Sequence, residues 1–543
     1  MNNLYNYSNR LLKGLLIVIG ATAMLTSCSD KWDDHYDAVT TVDASKSLWQ
    51  NISSNENLSN FAALLKQTGF YSRLDTTQTY TVWAPLNGTF DYSSISTKGN
   101  ATIIKEFLEN HIARYRWSVS GDVSSSIMNL NGKMSQLVGR GKNYLFNGVS
   151  MENCNLLSNN GILHQLNGSS AFLPNIYEYL DKKDYSTDSI ASLFHFYDIT
   201  VFDKDKSLQG PIVNGKVTYL DSVTTKSNTL FATLGGAYIN SEDSSYTMVI
   251  PNDEAWKNAY DSIKSAFTYI KKLGSTQLSN IDSLSDINTK MAIVNNLVFN
   301  NNENKHQSDS LVSTSGNVFK GGSQYSIFAD SIASVTLSNG KAVVVKKFDF
   351  IPGESWQKEI KVEAEISANI ESMSGVGLSG QNPTVVQVGA QNPKVTGSVS
   401  NNRYMDFEPK NSSTNPYVVY NIPGALSTEY DIYVVFVPVN ILSDNVSSSL
   451  LDTDGNPKMN RAKFTLTYMN DKNVNTAYSS TVDINSTIID SAYVGRVKFP
   501  VSYYGVNNEN MTLKILSAVK SNETAKYSRE MRIDCILLEP VKH

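Results

Sequence analysis

The sequence predicts an α+β protein in which two similar mixed domains precede an all-β domain. The first observation is an eleven-residue stretch that occurs twice, as YTVWAPLNGTF from Tyr80 to Phe90 and as YTMVIPNDEAW from Tyr246 to Trp256. The second is a change of pattern after Trp356, where the helical spacing of apolar residues gives way to short alternating runs. A chain of 543 residues has room for three or four domains of ordinary size.

Each copy of the repeated stretch combines a strand with the start of a helix. Its β-branched and aromatic residues suit a buried strand, and the proline that follows cannot continue a central strand ladder. In the second copy, Asn252 or Asp253 is placed to cap a helix that Glu254 begins. The pattern resembles the first signature segment of fasciclin-like domains, a family whose members are often adhesive or structural. The resemblance implies two fasciclin-like domains, each with mixed helices and a β-wedge.

A second pair of segments fits the same family. The sequence NGILH from Asn160 to His164, followed by Leu173-Pro174, is similar to the family's second signature strand, and NGKAV from Asn339 to Val343, followed by Ile351-Pro352, repeats it. Since Val343 replaces His164 in the later copy, a shared catalytic role for the histidine is not expected. We therefore expect the first domain over residues 45–180 and the second over residues 181–358.

Helical spacing is clear in two segments of the first domain. Leucines, Ile52 and Phe61 recur at helical intervals between Ser47 and Lys66, and Ile103 to Trp117 forms a second amphipathic pattern. His111 falls within that second pattern. We expect it to be a buried packing residue rather than a ligand or a general base.

The N-terminus has the pattern of a bacterial lipoprotein. Arg10 and Lys13 precede an apolar run from Leu15 to Leu25, which is too short for a bilayer that needs about 20 residues. Residues 1–27 are therefore predicted to be a signal peptide. Cys28 follows Leu-Thr-Ser, which resembles a lipobox and implies lipidation of that cysteine; the alternative is a chance cysteine after an ordinary signal peptide.

An acidic tether is predicted over residues 28–44. It is similar to the start of surface-exported lipoproteins of the Bacteroidetes type, which implies a lipid anchor in the outer membrane and a body at the cell surface. A plain solvated linker is the alternative. The formal net charge is −5 and no cluster of cations is present, so nucleic acid is not an expected partner. Cys154 and Cys535 are expected to be free thiols.

Residues 359–543 read as a β-sandwich of short strands separated by turns. The segments 362–365 and 534–538 are predicted to pair as first and last strands, as they do in galactose-binding-like jelly rolls among carbohydrate-binding modules. That resemblance implies a structural calcium held by Glu363, Glu365 and Asp534, because calcium prefers oxygen ligands. The alternative is that these acids are ordinary charges of edge strands. No other cofactor is expected.

One group of residues in the sandwich is a candidate sugar site. Tyr404 would supply an aromatic plane, and Asn402, Arg403 and Asp406 would supply partners for hydroxyl groups. The alternative for each tyrosine is packing inside the sandwich. Residues 452–456 (DTDGN) are expected to form a hairpin turn rather than a calcium loop.

The functional expectation is a lipid-anchored surface protein that binds a glycan or mediates adhesion. A polysaccharide and an outer-membrane nutrient importer are the expected partners, besides the membrane itself. The rival hypothesis is an envelope scaffold that contacts other proteins and has no sugar site. A third, a hydrolase in the sandwich, has less support because no nucleophile motif or paired catalytic acids are evident, so the chain is not expected to be an enzyme.

Overall fold

The computed structural model describes residues 43–541 apart from 203, 205–206, 208, 220–223, 305–308, 321–325, 349–352, 378–382, 389–397, 444 and 508. The expected signal peptide, Cys28, most of the tether and Ile351-Pro352 lie outside the described residues. The chain divides into two compact units, Met1–Leu173 and Pro174–His543. Within the described ranges, no helix has both the length and the apolar character needed to cross a membrane.

The first unit places short helices before a seven-stranded sheet. Its helices are α1 (Leu48–Ser53), α2 (Ser59–Thr68), α3 (Tyr92–Ser96) and α4 (Asn100–Thr102), with a π-helical segment at Ile103–Leu108 and 3₁₀ turns at Glu56–Leu58, Phe70–Asp75 and Glu109–His111. Its strands are β1 (Tyr80–Pro85), β2 (Ile112–Arg114), β3 (Val123–Met128), β4 (Met134–Arg140), β5 (Asn143–Phe146), β6 (Val149–Ser158) and β7 (Gly161–Leu166). They run in the order β2-β1-β7-β6-β5-β4-β3.

Local sequence explains where these helices begin and end. Ser47 and Gln50 form a capping box at the start of α1, in which each side chain accepts a hydrogen bond from the other residue's backbone N–H. Gly69, with φ of 75°, ends α2 in the left-handed conformation. The expectation of one helix from Ile103 to Trp117 is wrong, because the chain leaves the helix at His111 and β2 pairs with β1.

The second unit begins with a mixed region. Its helices are α5 (Ile176–Leu180), α6 (Asp188–Phe196), α7 (Leu230–Thr233), α8 (Asp253–Lys264) and α9 (Ile281–Val294), with a 3₁₀ turn at Ser265–Phe267. Its strands are β8 (Asp198–Phe202), β9 (Gln209–Val213), β10 (Lys216–Tyr219), β11 (Thr224–Asn228), β12 (Tyr246–Pro251), β13 (Lys272–Leu273), β14 (Thr276–Gln277), β15 (Val298–Asn300), β16 (Ser310–Val312), β17 (Val318–Lys320), β18 (Ser331–Leu337) and β19 (Gly340–Val345). Helix α5 packs into the core of this region, so the first unit ends at Leu173 rather than at residue 180.

The repeated stretch adopts the same strand pairing in both copies. Strand β1 runs parallel to β7 with Tyr80 opposite Gly161, and β12 runs parallel to β19 with Tyr246 opposite Gly340. The other edge is also shared, since β1 pairs antiparallel with β2 and β12 pairs antiparallel with β15. The sheet order β15-β12-β19-β18 therefore matches β2-β1-β7-β6.

An asparagine at the start of each second segment connects that segment to the first helix. Asn160 Oδ1 accepts a hydrogen bond from the Leu48 N–H at 2.8 Å, and Asn339 Oδ1 accepts one from the Ile176 N–H at 2.9 Å. Each asparagine Nδ2 also donates to two backbone carbonyls. The repeat is thus preserved down to individual hydrogen bonds.

The remainder of the second unit is a two-sheet sandwich. Its strands are β20 (Ile360–Glu363), β21 (Ile370–Ser374), β22 (Thr384–Gln387), β23 (Arg403–Phe407), β24 (Tyr417–Ile422), β25 (Glu429–Phe436), β26 (Met459–Met469), β27 (Asn475–Ile484), β28 (Asp490–Lys498), β29 (Met511–Ser517), β30 (Tyr527–Ser528) and β31 (Met531–Pro540). One sheet has the order β22-β23-β31-β25-β28 with β20 beside β31, and the other has the order β21-β24-β29-β26-β27 with β30 beside β26. The predicted pairing of first and last strands is confirmed by β20 and β31.

The sandwich and the mixed region of the second unit share buried side chains. Leu426 of the sandwich belongs to the core of the mixed region, and Leu273 of the mixed region belongs to the core of the sandwich. The Tyr269 hydroxyl also donates to the Tyr504 carbonyl oxygen at 2.8 Å. The two parts are therefore packed together as one body.

Candidate functional site

The first sheet of the sandwich has one face on the core and one face turned outward. Along β25, Ile432 and Val434 are buried in the core, so Tyr433 between them lies on the outer face. The strand register places Tyr433 opposite both Tyr493 and Leu537. It also places Leu537 opposite Lys361. These side chains form a row across four neighbouring strands, β28, β25, β31 and β20.

Two tyrosines at one end of this row form what we call the tyrosine patch, together with Asp431 and Arg496. The Tyr433 and Tyr493 rings lie 5.3 Å apart between centroids, and Tyr493 is 46% exposed. The Tyr493 hydroxyl donates to Asp431 Oδ1 at 3.0 Å. Arg496 donates to both carboxylate oxygens of Asp431, at 2.9 and 2.7 Å. The patch thus combines aromatic surface with a fixed ion pair.

The electrostatics of the patch keep its acid ionised. Hydrogen bonds from Arg496 are the main cause of a lowered Asp431 pKa, and they outweigh the smaller effect of partial burial. The side chain of Arg496 is about half exposed. Its planar guanidinium and the Tyr493 ring are therefore available to a ligand lying on the sheet.

The expectation that Tyr404 offers an exposed aromatic plane is wrong. Tyr404 is only 2% exposed, although it lies on the same sheet. Flanking segments cover it, and its ring packs in a small apolar cluster with Val388, Val399, Val437 and Ile441. Burial also raises the pKa of the Tyr404 hydroxyl to about 12. This tyrosine is a packing residue, which was the alternative considered for it.

The other three residues of the expected sugar site do not share one environment. Asn402 and Arg403 are exposed where β23 begins. Asp406 is largely buried, and its carboxylate lies 3.4 Å from the guanidinium of Arg532. Burial raises the pKa of Asp406 to about 6, although Arg532 opposes that shift. Asp406 lines a separate crevice of about 680 Å³ together with Tyr527 and Arg532.

The three acids expected to hold calcium lie around one turn, and we call them the acidic cluster: Glu363, Glu365 and Asp534. The Ser400 N–H donates to both carboxylate oxygens of Asp534, at 3.1 and 3.2 Å, and the Ser400 hydroxyl donates to Glu363 Oε1 at 2.6 Å. Asn401 Nδ2 donates to Glu365 Oε1 at 3.3 Å. Oε2 of each glutamate is buried and has no hydrogen-bond partner among the described residues.

The chemistry of this cluster fits a hard cation. Burial, together with the charges of Glu363 and Glu365, raises the pKa of Asp534 to about 7. Ligand atoms of Glu363, Asp534 and Cys535 lie within 4.8 Å of one another, and Glu365 is outside that set. Burial raises the pKa of the Cys535 thiol, so the thiol stays neutral and is a poor ligand for calcium. Glu363 and Asp534 would therefore be the ligands of such a cation.

His111 and His164 are packing residues, as expected. Both are fully buried. His111 Nδ1 lies 2.7 Å from the Phe107 carbonyl oxygen, and its Nε2 accepts from the Ser170 N–H. His164 contacts the Trp117 carbonyl oxygen at 2.8 Å. Burial lowers both histidine pKa values to about 4, so neither ring is charged at neutral pH. Cys154 and Cys535 are free, which confirms that expectation.

Comparison with known families assigns the first unit. Residues 56–168 match the family described as Fasciclin domain. Residues 56–168 form a fasciclin domain. The strand register of this fasciclin domain recurs in β12, β15, β18 and β19, so the second copy is fasciclin-like. None of the curated proteins matches the sequence.

Several solved structures match parts of the chain at low sequence identity and low TM-score. A FAS1 domain pair from the insect cell adhesion molecule Fasciclin I is 11% identical, with a TM-score of 0.19, over 56% of this chain and 95% of that one. The C-terminal family 22 carbohydrate-binding module of Clostridium thermocellum Xyn10B is 9% identical, with a TM-score of 0.18, over 33% and 92%. A xylan-binding domain of Paenibacillus barcinonensis Xyn10C is 12% identical, with a TM-score of 0.18, over 34% and 98%. TM-scores this low do not support a structural assignment. The β-sandwich is therefore assigned from the strand pairing within this chain.

The tyrosine patch is the part of the site that sequence reasoning missed. The sequence does contain a signal for it: Tyr433 lies between Ile432 and Val434, and neighbouring residues of a strand point to opposite faces of the sheet. If Ile432 and Val434 face the core, Tyr433 faces outward. Its partner Tyr493 alternates in the same way between Ala492 and Val494. Only the register between β25 and β28 shows that the two rings meet.

Proposed function

We propose that this chain is a lipid-anchored cell-surface protein whose sandwich binds a glycan on the tyrosine patch. The observation that carries the proposal is the exposed Tyr493 ring packed against the partly buried Tyr433 ring, beside the ion pair of Asp431 and Arg496. An aromatic ring can stack on the C–H face of a sugar, and charged groups next to it can bind the sugar's hydroxyls. Because the row continues through Leu537 to Lys361, the surface is long enough for more than one sugar unit.

Calcium in the acidic cluster has a structural part in this proposal. Glu363 and Asp534 belong to β20 and β31, the strands that carry Lys361 and Leu537 at one end of the row. A bound calcium would neutralise carboxylates that are otherwise buried together and would hold the turn at Ser400 in place. Its expected effect is on the stability of the sheet rather than on any reaction, and no catalytic role is proposed.

The position of the protein in the cell is inferred from the N-terminal sequence. Cys28 follows a lipobox-like tripeptide and an apolar run typical of a signal peptide. Diacylation of this cysteine would tether the body to the outer membrane. The acidic tether is the basis for placing the body on the cell surface, where an outer-membrane nutrient importer would be a natural partner for a glycan-binding protein.

A second candidate function, a scaffold or adhesion protein, is favoured by one surface. The end of α6 and the two small two-stranded sheets between α6 and α7 carry several exposed apolar side chains. They are Phe196, Ile199, Val201, Phe202, Ile212, Val213 and Val217. Exposed apolar residues grouped in this way are typical of protein contacts. On this hypothesis the chain would bind an envelope protein and need no sugar.

The test is a polysaccharide screen of the lipid-free chain from residue 29 onward, with matched variants. Tyr493→Ala is expected to weaken binding about tenfold or more while the circular dichroism spectrum is unchanged, because it removes the most exposed ring of the patch. Tyr404→Phe is the control, since that ring is buried and should not touch a ligand.

Two results would overturn the glycan proposal. One is the absence of saturable binding to any polysaccharide by the well-folded chain. The other is binding that Tyr493→Ala leaves unchanged. Envelope proteins that co-purify with the chain and are retained by Tyr493→Ala would instead support the scaffold function.

A further inference from the structure

A cavity of about 340 Å³ lies within the second unit, between its fasciclin-like region and its sandwich. We call it the junction pocket. Its lining includes Phe267, Asn288, Asn295, Ser355, Trp356 and Tyr504. The volume is at the lower end of the range of about 300–1,000 Å³ found for small-molecule sites, which often lie where two domains meet.

Aromatic rings form one side of the junction pocket. The Phe267 ring lies 6.1 Å from the Trp356 ring and 5.7 Å from the Tyr504 ring, measured between centroids. The backbone of Tyr504 accepts a hydrogen bond, because the Tyr269 hydroxyl donates to the Tyr504 carbonyl oxygen at 2.8 Å. Asn288 in turn donates to the Tyr269 hydroxyl at 2.8 Å. This hydrogen-bond chain positions the Tyr504 backbone at the pocket, while the three rings contact each other through Phe267.

Two buried polar groups at the pocket lack partners. Ser355 is fully buried, and its Oγ has no hydrogen bond to any part of the chain that the structure describes. The indole Nε1–H of Trp356 is likewise buried without an acceptor in the described ranges. A buried polar group without a partner is expensive to retain, so such groups are rare unless they serve a ligand or bound water. Here both belong to adjacent residues that line one cavity.

The charges around the pocket balance each other. Lys358 and Glu359 both line it, so its mouth has one cation and one anion. Asn288 and Asn295 add amide groups, which can donate to or accept from hydroxyls. A strongly charged ligand would be attracted by one of the two ionic groups and repelled by the other. An uncharged ligand with many hydroxyl groups could instead form hydrogen bonds with both ionic groups and with both amides.

We propose that the junction pocket binds a single sugar ring, such as a free monosaccharide or the terminal residue of a glycan. The aromatic wall would cover the C–H face of the ring, and Trp356 Nε1 and Ser355 Oγ would bind its hydroxyls. Water alone would satisfy the polar groups but would leave the aromatic wall against a polar solvent. The pocket is distinct from the tyrosine patch, and the two proposals stand or fail separately.

The experiment measures binding of D-glucose, D-galactose, D-xylose and N-acetyl-D-glucosamine to the lipid-free chain by saturation-transfer NMR and calorimetry. At least one of these sugars is expected to bind saturably. Ser355→Ala removes one hydroxyl at a fully buried position and is expected to weaken that binding about tenfold. Trp356→Phe keeps an aromatic ring but removes the N–H, and a similar loss is expected. Tyr404→Phe, whose ring is buried in a separate apolar cluster, should leave binding of the single sugar unchanged.

Two outcomes would overturn the pocket proposal. One is failure of all four sugars to bind a chain whose thermal unfolding is normal. The other is binding that Tyr493→Ala abolishes and Ser355→Ala does not affect, which would place the sugar on the tyrosine patch alone. If Trp356→Phe does not fold, Ser355→Ala still decides the question. Loss of polysaccharide binding in Tyr493→Ala with intact monosaccharide binding would support both sites.

Discussion

The Glu509 carboxylate accepts a hydrogen bond from the backbone N–H of Ser275 at 2.7 Å and another from the Ser275 hydroxyl at 2.6 Å. The same oxygen accepts from the N–H and hydroxyl of Thr276, both at 3.1 Å. Glu509 belongs to the sandwich, whereas the two residues that donate to it belong to the hairpin formed by β13 and β14 in the fasciclin-like region. One carboxylate therefore fastens the two parts of the second unit together.

Replacing Glu509 should weaken this connection. We expect Glu509→Gln to lower the free energy of unfolding of the second unit by about 1–2 kcal/mol, because charged acceptors form the stronger hydrogen bonds. Partial burial raises the Glu509 pKa, but the hydrogen bonds outweigh it and leave a net lowering. The stabilisation is therefore present above the ordinary glutamate pKa and is lost as the pH falls. Urea unfolding at pH 7 measures the effect, and equal stability of Glu509→Gln and the exposed control Glu371→Gln would contradict it.

A glycine in the first unit allows two parallel strands to approach. A Cβ atom at Gly161 would overlap the backbone carbonyl oxygen of Tyr80. We expect Gly161→Ala to destabilise the first unit by about 3 kcal/mol, because a backbone atom in a sheet cannot move aside easily. Thermal unfolding measures it, with Gly99→Ala as the control, since nothing lies within 4 Å of a Cβ atom there. An unchanged melting temperature for Gly161→Ala would show that β1 and β7 are not paired as described.

Buried histidines should make the first unit sensitive to acid. The pKa values of His111 and His164 fall from 6.5 to about 4 on folding because burial disfavours the charged ring. The unfolded chain takes up protons below pH 6.5 and the folded chain does not. The free energy of unfolding should therefore drop between pH 6.5 and pH 4, by about 1.4 kcal/mol per pH unit for each histidine.

Hydrogen exchange of the β1 peptide across that pH range measures this loss of stability. His111→Gln is the matched variant, since its amide can replace both hydrogen bonds of the ring but does not titrate. It should reduce the pH dependence by about half. Protection that does not change between pH 6.5 and pH 4, after correction for intrinsic exchange, would contradict the prediction.

Calcium should stabilise the sandwich in a pH-dependent way. Without a cation, the Asp534 pKa is raised from 3.8 to about 7, so its contribution to stability is present at low pH and is lost as the pH rises toward 7. A bound calcium reverses this loss. At a concentration one hundred times its Kd, calcium adds about 2.7 kcal/mol at pH 8. At pH 5 protons compete for Asp534, and the gain should be smaller.

Thermal unfolding with calcium chloride and with EDTA at both pH values measures this effect. Asp534→Asn together with Glu363→Gln should abolish the response to calcium. Asp452→Asn is the control, because Asp452 lies in a hairpin turn where an amide oxygen can accept the same hydrogen bonds from the Asp454 and Asn456 N–H groups. A calcium response that survives in the double variant would place the ion elsewhere.

Features that are local in sequence were predictable. The repeated stretch predicted both fasciclin-like cores, because each copy contains a strand that ends at a proline. In both copies this strand pairs in parallel with a strand that follows an Asn-Gly pair. Strand β27 carries a weak signal, because only Tyr478 and Val482 among its partly buried positions are large and apolar, and the strand ends at Ile484. Strand β2 was read as helix because only three residues pair with β1, too few to interrupt a helical period.

Features that depend on tertiary packing were not predictable. Tyr404 and Tyr433 both lie on the outer face of one sheet, but flanking segments cover Tyr404 and leave the region of Tyr433 open. No local pattern distinguishes the two. The proximity of Glu363 and Asp534 was predictable because they sit on the first and last strands, which pair. The junction pocket has no sequence signal, since Phe267, Trp356 and Tyr504 come from three distant segments.

Leu273 of the fasciclin-like region packs in the sandwich core, and Leu426 of the sandwich packs in the fasciclin-like core, so the two parts are difficult to separate. A cut between them would expose Leu426 and leave an empty space where Leu273 had been, at a cost comparable to that of deleting a large side chain from a core, about 2–5 kcal/mol. A truncated protein that keeps the sandwich should therefore also keep the fasciclin-like region before it. Because the two cores share side chains, the sandwich does not rotate independently of the fasciclin-like region. A force on a ligand bound to the sandwich would therefore be transmitted to the whole second unit.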